Sequence, residues 1–385
     1  MIYFDNAATT YPKPDIVYCT MDNFYRNYGF SAGRGQYPQT VQVSKVITDT
    51  REKLKKLFNC LPHQEVVFTS SATEAINIIL QGIDWSKIKN VYITHFEHNA
   101  VLRVLHQIKN ININYIKTEK EVKNNKVSLS FDLENIKYQF QDNKPDLVVM
   151  THASNVCGLV VPIEEIASLA KEYDAYVVVD CAQTAGLLNI NFNKLRADHI
   201  IFAGHKTLYG PLGIAGFTVS NKSNLKPLMY GGTGVDSANM ELPIEIPQKF
   251  EVGSQNTYAI AGLNASLDWI DNIGRVNIEN KEKKLFYDML SVFEQYPNIT
   301  VFSSASKDKQ LGILSCTFED YQSGSIGQVL SQNNIAVRTG LHCAPEAHKF
   351  MGTSPGGTVR FSLGYFNDNN DIIKLNNIIE QICYS

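Results

Sequence analysis

Short apolar runs alternate along this chain with stretches whose apolar positions recur at helical spacing. EVVFT, VYITHF, DLVVMTHASN, AYVVVDCAQ, HIIFAGHK and GIAGFTVS have strand length and β-branched composition. Helical periodicity appears in IVYCTMDNFYRNY, from about Thr40 to Phe58 in VSKVITDTREKLKKLF, in SSATEAINIILQGI, in VLRVLHQI and in PIEEIASLAKEY. This order predicts βαβ units around a parallel sheet whose two faces are both covered. The polar span from about Thr118 to Lys144 reads as surface decoration, and GFSAGRGQYP, with Arg34, as a loop. YGGTGVDSANMELPIEIPQKFEVGSQNT reads as a long irregular excursion of the kind that carries function. From about Tyr258, the helix AIAGLNASLDWIDNIG leads into a second region. There ILSCTFED, IAVRTG and GTVRFSL read as strands, SIGQVLSQN and DIIKLNNIIEQI as helices, and LHCAPEAHKFMGTSPGG as a loop.

Composition narrows the functional classes. A chain of 385 residues exceeds the usual limit of one core, so a large domain with a smaller one is expected. A net charge of -3 and a hydrophobic fraction of 44% point to a globular protein without a basic stripe for nucleic acid. No basic leader with an apolar core and no run of 18 apolar residues occurs, so a cytosolic protein that makes no use of a membrane is expected. The 7 cysteines are scattered singly, without the paired spacing of a zinc ribbon or thioredoxin-like site.

Candidate chemistry gathers at the predicted strand ends, where doubly wound sheets bind ligands. HIIFAGHKTLYGPLG sets Lys206 beyond an apolar strand, and YVVVDCAQ and VVMTHASN end in Asp180 and Asn155. A lysine that can form an imine and a carboxylate that can keep a pyridine nitrogen protonated are what pyridoxal 5'-phosphate (PLP) requires. The helix start at Ser70, Ser71, Ala72, Thr73 and Glu74 suits a phosphate, although an ordinary N-cap has the same sequence.

The ordered motifs YFDNAATT, ATEAIN, EHNA, THASNVCG, VDCAQ, GHKTLYGP, FEVGSQNT, AVRTGLHCAP and VRFSLGYFN span nearly the whole chain. In them the chain resembles the cysteine desulfurase and selenocysteine lyase branch of the class V aminotransferases, which are fold-type I PLP enzymes. The resemblance implies an α/β fold: a large PLP-binding domain with a mainly parallel seven-stranded sheet, and a smaller α+β C-terminal domain. With the connector helix it divides the chain into residues 16–262 and 263–385, with residues 1–15 associated with the small domain. It implies that Lys206 forms the Schiff base, Asp180 pairs with the pyridine nitrogen and His98 stacks on the ring. Asn155 and Gln183 would bond the phenolic oxygen and substrate, while Ala72, Thr73 and His205 would hold the phosphate. Ser254 would reach the partner site of a homodimer, Arg360 would clamp the substrate carboxylate, and Arg338 and Arg34 would also bind substrate. Two departures stand out: Ala203 replaces a serine expected at the phosphate, and Ser254 stands where threonine is expected.

Cys343, in RTGLHCAP, decides the reaction class. It sits in a glycine- and proline-flanked loop between Arg338 and Arg360, whose converging charge would favour a thiolate. A metal reading of His342, Cys343 and His348 lacks a fourth ligand. The resemblance implies that Cys343 takes sulfur from L-cysteine as a persulfide, releases alanine and passes the sulfur to a protein acceptor. L-Selenocysteine cleavage, sulfinate removal, aminotransfer and C–C hydrolysis on the same scaffold need Lys206 and Asp180 without requiring Cys343. A non-catalytic sulfur carrier or scaffold would need neither the lysine nor the aspartate.

Overall fold

The computed structural model describes residues 1–32, 35, 37–235 and 238–384. In chain order its strands are β1 (Ile2–Tyr3), β2 (Gln64–Thr69), β3 (Asn90–Ile93), β4 (Asn112–Tyr115), β5 (Glu119–Lys123), β6 (Lys126–Ser130), β7 (Leu147–Thr151) and β8 (Tyr176–Asp180). They continue with β9 (His199–Ala203), β10 (Ala215–Ser220), β11 (Ile299–Ser304), β12 (Ile313–Phe318), β13 (Ile335–Ala336), β14 (Arg338–Gly340) and β15 (Thr358–Ser362).

Seven strands form one sheet in the order β2-β10-β9-β8-β7-β3-β4. All neighbours in it are parallel except the two pairs made by β10. The apolar runs are continuous because both faces are covered. Val177 and Val179 pack into one core while Val178 between them packs into another. Helices Asp15–Tyr28, Pro38–Leu57 and Thr257–Ile273 pack on one another, and helix Ala72–Gly82 lies against β9 and β10.

A second sheet of six strands, ordered β14-β15-β12-β11-β6-β5, has its own core around Leu314, Cys316, Val359 and Phe361. β5 and β6 come from the polar span expected to decorate the surface. β6 pairs in parallel with β11, burying Val127 and Leu129, and β5 forms the sheet edge. The sheet therefore draws strands from both the middle and the end of the chain. β1 pairs with β13, which carries the N-terminal segment to the C-terminal third.

Candidate active site

A cavity of about 230 Å³ opens where the parallel strands of the larger sheet end. Ala72, Thr73, His98, Asn155, Asp180, Gln183, His205, Lys206, Arg338 and Arg360 all line it. Cys343 is bonded to Arg338 at its edge. Ser254 is exposed and outside the cavity, and Arg34 lies outside the described residues.

Strand register explains much of this convergence. Asp180 ends β8 beside Thr151, its partner at the end of β7. One Asp180 carboxylate oxygen accepts the Ala182 amide at 2.9 Å. Burial raises the Asp180 pKa, and that amide and the nearby Lys206 ammonium oppose the rise. Lys206 follows β9 by three residues, and burial pushes its amine down to about 8. A lysine so placed holds about a tenth of its amine free at pH 7, far more than a solvated lysine does.

The helix Asn99–Leu105 begins at His98, whose Nδ1 accepts the Ala100 amide at 3.0 Å. Burial, then the charges of Lys206, Arg338 and Arg103, push this imidazole down to about 4. Neutral His98 therefore carries its proton on Nε2. His205 is likewise held down at about 4, and its buried Nδ1 has no hydrogen-bond partner.

Ser71 caps helix Ala72–Gly82 by accepting the Glu74 amide at 3.2 Å. The ordinary N-cap is thus present, and it coexists with an anion-ready end. The amides of Ala72 and Thr73 precede the helix's internal ladder and lie at the cavity wall. Gln183 Nε2 is committed to the Ala7 carbonyl at 2.9 Å, and Ala203 contributes only a methyl group to the wall.

The second sheet brings the cationic side. Arg338 on β14 lies directly opposite Arg360 on β15. Arg338 Nη2 donates to Cys343 Sγ at 3.2 Å. Arg360 Nη1 donates to the Asn155 carbonyl at 2.8 Å and Nη2 to Asp5 Oδ1 at 2.6 Å, while its buried Nε is unpartnered. His342 and Cys343 both have left-handed backbones, with φ of 48° and 60°. This turn is fastened by the Asn99 amide on the Cys343 carbonyl and by Asn155 Nδ2 on the His342 carbonyl, each at 2.7 Å.

A directional chain fixes the His342 ring. The Ser315 hydroxyl donates to the Val156 carbonyl at 2.7 Å and accepts from Thr358 at 2.9 Å. Thr358 has thereby spent its proton and must accept from His342 Nε2, 2.9 Å away. Burial, then Arg360, His348 and Arg338, hold His342 neutral, with its pKa pushed down to about 2.

By contrast, burial pushes the thiols of Cys157, Cys181 and Cys316 up, as expected for inert core cysteines. Among the described residues no group of three or more His, Cys, Asp or Glu could hold a metal ion. Nor is any described helix long and apolar enough to cross a membrane.

Sequence reasoning missed Asp5, Lys13, Thr358 and Ser315. Lys13 Nζ donates to the His205 carbonyl at 2.6 Å and to Thr10 Oγ1 at 2.7 Å, and burial pushes its pKa down to about 7. The crowding of polar residues in YFDNAATTYPKP was the available signal for the first two.

The donor set fits PLP: two helix-start amides and an unpartnered His205 Nδ1 for an anion, a buried carboxylate for a ring nitrogen, and an amine for an aldehyde. Among curated proteins, a probable cysteine desulfurase of Methanothermobacter thermautotrophicus is 29% identical, covering 99% of this chain and 94% of the relative. A cysteine desulfurase of Haloferax volcanii is 26% identical, over 99% of this chain and 89% of the relative. The apo structure of cysteine desulfurase from Thermococcus onnurineus NA1 superposes with a TM-score of 0.89 at 27% identity. That match covers 100% of this chain and 94% of the other. The Aminotransferase class-V family model matches residues 2–375, and the chain belongs to that family.

Proposed function

We propose that the protein is a PLP-dependent cysteine desulfurase, which converts L-cysteine to L-alanine and holds the released sulfur on Cys343 as a persulfide for a protein acceptor. The observation that carries this reading is the 3.2 Å contact from Arg338 Nη2 to Cys343 Sγ, at the edge of the cavity that contains Lys206 and Asp180. A guanidinium N–H on the sulfur compensates the negative charge a nucleophilic thiolate carries. The curated relatives and the Thermococcus structure, all named as desulfurases, support the same reaction.

Each residue then has a chemical task. Asp180 would pair with the PLP ring nitrogen, His98 would cover the ring, and Ala72, Thr73 and His205 would hold the phosphate. Bound PLP supplies an electron sink for the pair left behind when the substrate loses its α-proton. Lys206 Nζ anchors the cofactor and, once freed as an amine, takes that proton, a role suited to a pKa near 8. Cys343 Sγ attacks the substrate sulfur, forming an S–S bond as the C–S bond breaks and its electron pair stays with the carbon fragment. His98, through Nε2–H, would relay a proton to that fragment. Arg360, through N–H groups not already engaged, would hold the substrate carboxylate.

A homodimer with Ser254 reaching the partner's site is part of this reading. The excursion around Ser254 exposes large apolar side chains, Tyr230 at 76%, Met240 at 98% and Ile244 at 84%, as a surface awaiting cover would. The decisive experiment incubates the holoenzyme with ³⁵S-labelled L-cysteine. Alanine should form, with label recovered on the Cys343 peptide. Alanine release with equal efficiency from Cys343→Ala, or cleavage confined to selenocysteine, would rule the persulfide route out.

A further inference from the structure

Arg360 and Arg338 stand directly opposite each other on β15 and β14. Like charges in that register repel, and the Arg360 side chain is only 1% exposed. Such an arrangement requires an anion of its own. The Asp5 carboxylate supplies it, 2.6 Å from Nη2, from a segment 355 residues away in sequence.

A guanidinium has five N–H groups. One on Nη1 goes to the Asn155 carbonyl and one on Nη2 to Asp5, while Nε has no partner. Asp5 itself is absent from the cavity lining and keeps a side-chain exposure of 22%, so it approaches the guanidinium from outside the site. Its backbone is fixed by a bridge to Ser362 and by the Ala8 amide on its carbonyl at 3.0 Å.

We infer that Asp5 is a positioning residue for carboxylate recognition: it orients the Arg360 guanidinium from behind, so that the uncommitted N–H groups are presented to a monocarboxylate ligand in the cavity. The inference rests on the proposed amino-acid site. Asp5 does not touch the ligand. Its carboxylate offsets the Arg338 and Arg360 pair when the cavity is vacant and fixes the guanidinium plane that bidentate binding requires. With Asp5 removed, Arg360 would keep only the Asn155 carbonyl as a fixed partner and present its donors poorly.

The test uses holoenzyme with Asp5→Ala, Asp5→Asn and Arg360→Ala. Calorimetry with 3-mercaptopropionate, which carries a carboxylate but no amine, reads the carboxylate site apart from turnover. Truncating one partner of a buried charge pair predicts roughly a tenfold weaker Kd in Asp5→Ala. Asp5→Asn, which keeps the acceptor oxygen, should fall between Asp5→Ala and the parent. KM for L-cysteine should rise in parallel, with kcat changing less than about threefold.

An unchanged Kd in both Asp5 variants, with Arg360→Ala clearly weakened, would overturn the inference while leaving the amino-acid site intact. Tighter binding in Asp5→Ala would also overturn it, because Asp5 would then compete with the ligand. No effect in Arg360→Ala would overturn both this inference and the assignment of Arg360 to the substrate.

Discussion

The two sides of the cavity are built on different principles. The side formed by the seven-stranded sheet uses the rigid ends of buried strands. Asp180 closes β8, Lys206 follows β9, and His98 begins the helix after β3. The other side is a turn with two consecutive left-handed residues, His342 and Cys343, held by two side-chain tethers and one backbone amide rather than by a ladder. Strand ends suit groups that must not move, whereas a turn outside the sheet leaves its reactive atom freer to adjust. On the proposed reading, chemistry common to PLP enzymes lies on the first side and chemistry particular to sulfur on the second.

The sharpest test of this division is to remove one residue from each side. Lys206→Ala should lower turnover of every amino acid by on the order of 10⁴, because on the proposed reading the amine serves all α-proton chemistry. Steady-state assays with L-cysteine and L-selenocysteine measure this. Cys343→Ser should abolish persulfide labelling while leaving 3-mercaptopropionate binding within about twofold of the parent. A comparable loss of binding in the Cys343 variant would mean that the two sides are not separable.

The next test weakens a tether without touching the sulfur. Thr358→Val keeps the shape of the side chain but removes the acceptor for His342 Nε2 and the donor to Ser315. A displaced turn should lower kcat for desulfuration by about tenfold, and loss of the alignment explains a change of that size. Ser315→Ala, which leaves Thr358 able to accept from His342, should cost less.

How much of this was legible in the sequence follows the same division. Lys206, Asp180 and His98 could be read because each ends or follows an apolar run, so local pattern and position in the cavity coincide. The tether could not. Ser315 and Thr358 are ordinary hydroxyl residues until strand pairing sets β12 beside β15 and β15 beside β14. Asp5 was visible within a recognised motif, but its partner emerges only when the bridge to Ser362 sets it beside β15. The misread span at 118–144 fails for another reason. β5 reads EKEVK because it is an exposed sheet edge, where charge prevents further pairing, and these charges hide the alternating Val127 and Leu129 of β6.

A pH titration sharpens the comparison further. In protein freed of cofactor, the rate of Lys206 acylation by an amine-selective reagent should rise with pH and reach half its plateau near pH 8, since burial has lowered the amine from 10.5 to about 8. Peptide mapping separates this site from surface lysines. A midpoint above 10 would place Lys206 in a solvated environment and remove the rationale for its role as the base.

The smallest expected effect concerns the junction between the sides. Tyr209, three residues beyond Lys206, donates to Glu282 Oε1 at 2.8 Å and accepts the Tyr365 amide at 2.6 Å, so one buried network joins the lysine turn to the chain after β15. Burial raises Glu282 from 4.5 to about 8. In the folded protein the neutral acid is therefore favoured, whereas the unfolded chain ionises once pH exceeds 4.5. The contribution to stability is complete below that value and is lost as pH rises toward 8. Glu282→Gln keeps an oxygen for Tyr209 but cannot ionise. The variant should match the parent near pH 4 and melt a few degrees higher near pH 8, the direction set by a carboxyl whose pKa rises from 4.5 to about 8 on folding. Parallel melting curves at both pH values would show that Glu282 is not a buried neutral acid. The joint between the two sides would then be held by an ion instead.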